Sequence, residues 1–298
     1  MAQPGFLGLG FCGTTPQEDA IAADAHIAVA SRVLGSGFSG LVYSHLRAQK
    51  RPGHEIVECA VIKYDPDHVR ARLLKLLEAK EKPTALICVS LRPDLETIAA
   101  FREAGAPVVL IDEEQQGAST VASNNVAGGL LAGKFLVEAG RREIGLVIGQ
   151  LIEGGGYNAH ERLKGFRQAL AQAHLPFKQD RIVEVVEYSR AEGVSALTTL
   201  LERHALDAVF SAAGDLCATG VLAAARERHL RVPHDLAIVG YDDNPVAMVS
   251  NPPLTTVRQP LEQMATEAYR LATDARAEIL IKPARKLFDP EIVKRASA

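Results

Sequence analysis

Tryptophan is absent from this 298-residue chain, and aromatic residues make up only 5% of it, so its core must be built mainly from aliphatic side chains. Cysteine is scarce: Cys12, Cys59, Cys88 and Cys217 lie far apart, with no C-x-x-C pair. That spacing offers neither a disulfide framework nor a redox or zinc motif, and a reduced cytosolic setting is the default. Long apolar runs are missing too. Each is broken by charge or glycine well before about 18 residues, so no transmembrane helix is expected. The start, Met1-Ala2-Gln3-Pro4-Gly5, has no basic segment followed by an apolar one, so no secretory signal is expected. Neither charge sign dominates: 33 Lys+Arg stand against 36 Asp+Glu, a net charge of −3. This balance excludes an electrostatic footprint for tight nucleic-acid binding by the chain alone. The histidines form no H-x-x-x-H pair and no G-x-S-x-G elbow occurs, so nothing in the motifs points to an enzyme, a metal or a cofactor.

What is present is aliphatic. Hydrophobic residues reach 47%, enough for a substantial core, and the length suggests two domains. Short aliphatic runs alternate with helical patterns. Residues 5–11 are a candidate first strand, 17–35 an Ala-rich helix, and 40–43 and 56–63 short apolar runs. Asp67 is a candidate cap for the helix that follows. Residues 84–90 (TALICVS) and 107–112 (PVVLID) read as buried strands around a helix over 94–104 that Gly105 stops. The rhythm restarts with a helix over 126–139, then strands at 143–149, 181–187, 208–212 and 235–241, with helices over 159–173, 191–203 and 218–228. The tail holds a helix over 260–272 and an extended run near 287–293. This order predicts an α/β fold of two Rossmann-like subdomains with parallel sheets and a ligand cleft between them. The expected subdomains are 5–123 with about 257–276, and 124–256 with about 277–298. Ligands in such folds bind at the carboxyl ends of strands, which places Asp112, residues 149–158, Tyr188, Gly214, Asp215 and residues 241–244 around one crevice.

Gly8-Leu9-Gly10-Phe11-Cys12-Gly13 spells a dinucleotide fingerprint, but Pro16 would fall in the early turns of the helix that the fingerprint requires. Gly154-Gly155-Gly156 lacks the G-K-[ST] ending of a phosphate loop and suits a loop facing a ligand. The adjacent Asp242 and Asp243 suit one ligand acceptor and one turn or helix cap.

Four segments in the second half carry a resemblance: 158–166 (NAHERLKGF), 206–210 (LDAVF), 232–243 (VPHDLAIVGYDD) and 252–260 (PPLTTVRQP). In this order they resemble the effector-binding region of the lactose/galactose repressor (LacI/GalR) family, which has the periplasmic-binding-protein type 1 fold. The similarity covers about residue 107 to the end, including the last strand and tail at 290–298. Residues 5–106 match only in rhythm, and 44–56 reads as extra length. The resemblance implies that Arg162 is a ligand-gripping fork and that Asp242 accepts ligand hydroxyls. It implies a polar contact at Asn158, an aromatic face at Tyr188, an acidic contact at Asp112, and Gln259 beside the cleft at a crossover. Gly214 stands where the family usually has a ligand-contacting Asn, and Asn124 where it usually has an Asp. The implied protein is a cytoplasmic transcriptional regulator without catalytic activity or cofactor. It would sense a small polar effector, sugar-like or purine-like, as a homodimer. Operator DNA would be reached only through a helix-turn-helix headpiece, for which the expected four residues before the first strand leave no room. The resemblance also implies that Arg162→Ala and Asp242→Ala weaken binding with little loss of fold. A transport solute-binding protein and, less so, a nucleotide-using α/β enzyme are the alternatives.

Overall fold

The computed structural model describes residues 24–32, 37–61, 65–151 and 156–298. The expected strand at 5–11 and the Gly8–Gly13 motif lie outside these residues, as do Gly154 and Gly155. The chain enters a first sheet through β1 (Ala25–Ser31), then α1 (Gly37–Ala48), β2 (His54–Ala60), α2 (Pro66–Leu74), β3 (Ala85–Val89), α3 (Leu95–Glu103), β4 (Val108–Ile111) and β5 (Ser119–Ser123).

This beginning differs from the expectation. The 17–35 stretch is rich in Ala, which favours helix. Yet within it Ala25–Ser31 is the strand β1, with Ile27 and Val29 fully buried and β2 and β3 hydrogen-bonded on either side. A central strand buried on both faces does not need polar alternation, so tertiary packing overrides the Ala propensity. The apolar run 40–43 is helical, in α1, and 44–56 holds the end of α1, a turn and the start of β2. The cap of α2 is Asp65, whose side chain accepts from the Asp67 backbone N–H at 3.2 Å. Asp94 caps α3 through Thr97 N–H at 2.7 Å.

The second lobe follows as α4 (Asn125–Glu138), β6 (Ile144–Gly149), α5 (Tyr157–Gln172), β7 (Ile182–Val185), α6 (Arg190–Arg203), β8 (Ala208–Ser211), α7 (Asp215–Glu227), β9 (Ala237–Asp242), α8 (Pro245–Val249) and β10 (Thr255–Arg258). The chain then returns to the first lobe with α9 (Leu261–Thr273), α10 (Arg276–Ile281) and β11 (Arg285–Phe288). It ends in the second with β12 (Glu291–Val293). The extended run near 287–293 is therefore two strands in different sheets, and the last crossover falls between Phe288 and Glu291 rather than near 276.

The sheets have the same plan. Their strand orders are β2-β1-β3-β4-β5-β11 and β7-β6-β8-β9-β10-β12, parallel throughout except for the antiparallel β10–β12 pair. Four aliphatic clusters cover the four sheet faces. Leu261, Met264, Ala265 and Tyr269 of α9 pack under the first sheet, which fixes the returning segment to that lobe.

Close helix packing sets the geometry of the site. A Cβ on Gly165 of α5 would lie 1.9 Å from the Val126 carbonyl oxygen of α4, and one on Gly129 would lie 2.0 Å from the Arg162 carbonyl oxygen. Only glycine permits this approach, and it brings Arg162 on α5 against Asn125 at the start of α4.

Candidate functional site

The carboxyl ends of the strands of both sheets face one cavity of about 340 Å³. Residues Ser31, Phe38, Ser90, Asp112 and Glu113 line it from the first lobe. Asn158, Arg162, Tyr188, Gly214, Asp215, Leu216 and Asp242 line it from the second. Strain collects here. Ser90 (φ 47°), Asp112 (62°), Tyr188 (54°) and Asp242 (97°) all have left-handed backbones at strand ends. Each costs of order 1 kcal/mol for a non-glycine residue, so the packing around the cavity must hold them there.

Arg162 is the centre of the polar network. It is only 5% exposed. Its Nε donates to Asn125 Oδ1 at 2.8 Å and its Nη1 to the Ala212 carbonyl at 2.8 Å. Its guanidinium carbon sits 3.7 Å over the Tyr241 ring. Its Nη2 lies 3.8 Å from Asp112 Oδ2. Burial works against its charge, but Tyr241, Asp112, Asp242 and Tyr188 outweigh burial and raise its pKa. Arg162 is thus bound into the fold more deeply than the resemblance implied, and its removal would leave buried donors and acceptors unpaired.

Asp112 follows β4 and accepts from Asn125 Nδ2 at 3.0 Å and from Asn158 Nδ2 at 2.7 Å. Asn125 was not foreseen. Its amide orients both Asp112 and Arg162, and its Oδ1 also accepts from the Tyr241 hydroxyl at 3.3 Å. Asp242 ends β9. Its Oδ1 accepts from Gln259 Nε2 at 2.7 Å. Burial raises the Asp242 carboxyl pKa, and Arg162 and the Gln259 bond partly offset that. Six of the seven expected site residues line the cavity; Gln259 is buried behind Asp242 and holds it. Asp215 sits beneath, accepting from Thr256 Oγ1 and the Asn244 N–H, both at 2.7 Å. Its pKa is raised well above the usual range by burial and by the charge of Asp242.

Three local readings change. Gly214 begins α7 with φ 96°, and a Cβ there would meet Asp242 Oδ2 at 2.9 Å, so its backbone demands glycine whatever the ligand. Asn124 caps α4 through the Ala127 N–H at 3.1 Å and donates to Asp289 Oδ1 at 2.9 Å, tying two crossovers together. Asp243 is not a cap. It pairs with Arg258 at 2.7 Å and Arg295 at 2.6 Å, while Asn244 caps α8.

The lining residues Ser31, Arg32, Phe38 and Ser39 were missed because 17–35 read as helix; a strand ending at Ser31 would have pointed to them. Glu113 was missed beside its neighbour Asp112. The three described cysteines, Cys59, Cys88 and Cys217, are buried and free.

Comparison with known proteins bears on this arrangement. Residues 134–298 match a family model described as a periplasmic binding protein-like domain. Over 230 residues the chain is 32% identical to the HTH-type transcriptional repressor PurR of Yersinia pestis (strain Pestoides F), covering 75% of this chain. The chain belongs to the periplasmic binding protein-like family, as an effector-binding domain of the LacI/GalR kind. It spans about 65% of the length of the curated relatives it matches. Among solved structures, the transcriptional regulator CelR in complex with cellobiose superposes with a TM-score of 0.81 at 28% identity, covering 93% of this chain and 85% of that one. A protein from Sanguibacter keddieii described as a LacI-family regulator gives 0.77 at 26%, covering 92% and 98%. The LacI/GalR-type architecture accounts for the two sheets of equal plan and the three crossovers beside the cavity. Among the described residues no helix is long and apolar enough to cross a membrane.

Proposed function

We propose that the cavity is the effector site of a transcriptional regulator, and that Arg162, Asp242, Asn158, Tyr188 and Asp112 contact the effector. The observation that carries this is the convergence of polar side chains from both lobes on one cavity of about 340 Å³, a volume suited to a small sugar-sized or purine-sized molecule. Asp112 and Asp242 supply acceptors for hydroxyls, Arg162 a planar cation, and Tyr188, Phe38 and Leu216 apolar faces against which a ring can stack. Gln259 positions Asp242. Gly214 leaves Asp242 Oδ2 open toward the cavity.

Effector binding acts by favouring one relative position of the lobes, a coupling of about 1–3 kcal/mol. The lobes are joined by three crossovers and by side chains at the cavity, so occupancy and closure are linked. The regulator works as a homodimer in the cytoplasm, and reads DNA through a helix-turn-helix module like those for which its relatives are named. It performs no catalysis and needs no cofactor.

Thermal unfolding against a panel of monosaccharides, disaccharides, purines and nicotinamide nucleotides tests the reading. A ligand at 100 times its Kd stabilises the folded state by about 2.7 kcal/mol. A hit from one class names the effector. A hit only with nicotinamide nucleotides contradicts the reading and favours an enzyme.

A further inference from the structure

Asp112 and Glu113 are consecutive, 1% and 8% exposed, and both line the cavity. Two neighbouring acids so deeply buried call for cations. Arg162 lies 3.8 Å from Asp112 but its other nitrogens are engaged by Asn125 and Ala212. Among the described residues no cation stands within ion-pair distance of Glu113, and its buried Oε2 has no hydrogen-bond partner.

The rest of the lining adds to this excess. Among the described lining residues, Asp112, Glu113, Glu187, Asp215 and Asp242 face only Arg32 and Arg162. Arg32 pairs with Glu187 at 3.6 Å. Both Asp112 oxygens accept amide donors, both Asp215 oxygens accept from Thr256 and Asn244, and Asp242 Oδ1 accepts from Gln259. Of the acids Asp112, Glu113, Asp215 and Asp242, only Asp242 at Oδ2 and Glu113 keep carboxyl oxygens that accept no hydrogen bond among the described residues.

We propose that Glu113 is a specificity-determining residue of the cavity, and that the effector carries a protonated amine which it receives, anionic ligands being excluded. The inference rests on the cavity being an effector site. An ammonium group has three donors and no acceptor, which matches an unpartnered carboxyl. A phosphate or carboxylate would enter against the buried acids with no unengaged guanidinium to meet it. The titration of Glu113 agrees that no cation among the described residues neutralises it. Burial and then the charge of Asp112 raise its pKa to about 7, and Arg92 opposes them only in part.

The test is calorimetric titration of the full chain with matched series on glucose, galactose and mannose scaffolds, each as neutral sugar, 2-amino sugar and 6-phosphate. The amine is expected to bind about tenfold or more tightly than its neutral counterpart, and the phosphate not at all. Glu113→Gln is expected to collapse that ratio toward one, with the ligand-free protein still folded by circular dichroism. An amine no better than the neutral sugar, a phosphate that binds as well, or a preference that survives Glu113→Gln overturns the inference and leaves the effector site standing. Failure of every series to bind overturns the inference, and the effector site falls with it only if the purines of the thermal panel are silent as well.

Discussion

Asp112 of the first lobe accepts a hydrogen bond from Asn158 of the second, 2.7 Å from Nδ2 to Oδ2, so the residues that line the cavity also join its two walls. A ligand that draws on Asp112 or Asn158 acts on the contact between the lobes. This is how a small molecule can bias their relative position without reaching the crossovers.

Asp112→Ala removes the one carboxylate within ion-pair distance of Arg162 among the described residues and leaves the Asn125 and Asn158 amides short of an acceptor. Breaking a buried charge pair on one side costs roughly 3–5 kcal/mol. The expected outcome in urea unfolding is a loss in that range, with Asp112→Asn recovering part of it. Small-angle scattering should show a larger radius of gyration for Asp112→Ala, because the lobes lose a shared contact.

Gly165 and Gly140 separate two causes of glycine dependence. Gly165→Ala drives a methyl into the Val126 carbonyl, so α4 and α5 must part and Arg162 shifts from Asn125. A loss of about 3 kcal/mol or more is expected. Gly140 has φ 86° but nothing within 4 Å of a Cβ, so Gly140→Ala costs only the left-handed backbone, about 1 kcal/mol. Urea midpoints of the two variants check the difference.

The pH dependence of stability follows from Glu113. Its folded pKa, raised to about 7 by burial and by Asp112, exceeds that of the unfolded chain. Its neutral form is the one the fold accepts. Stability is therefore complete below the unfolded value and falls as pH rises through about 7, by roughly 3 kcal/mol in full. Glu113→Gln should be more stable than wild type at pH 8 and equal to it near pH 4.5. Equal stability of the two proteins at pH 8 would contradict this.

Most of the second lobe could be read from the chain because its strands are continuous aliphatic runs ended by glycine or by a capping residue, as in 143–149 and 235–241. Asp112, Asn158, Tyr188 and Asp242 followed from the rule that such strands present their carboxyl ends to ligands, together with the resemblance. The first lobe misled most at 17–35. The Ala-rich composition of 17–35 favours helix locally, and only the neighbours of β1 on the sheet make Ala25–Ser31 a strand. That single shift hid Ser31, Phe38 and Ser39 from the expected site. Asn125 was hidden for another reason: its importance lies in three side chains that reach it from positions 112, 162 and 241, and no local pattern announces them.

The most direct test of the central claim is the affinity of the panel's effector for wild type, Asp242→Asn and Tyr188→Ala by isothermal titration. Both side chains reach the cavity, and neither anchors the fold as Arg162 does. The account predicts that each substitution weakens binding by about tenfold or more, a loss of about 1.4 kcal/mol, while the ligand-free proteins remain folded. Unchanged affinity in both variants would contradict it and place the effector elsewhere.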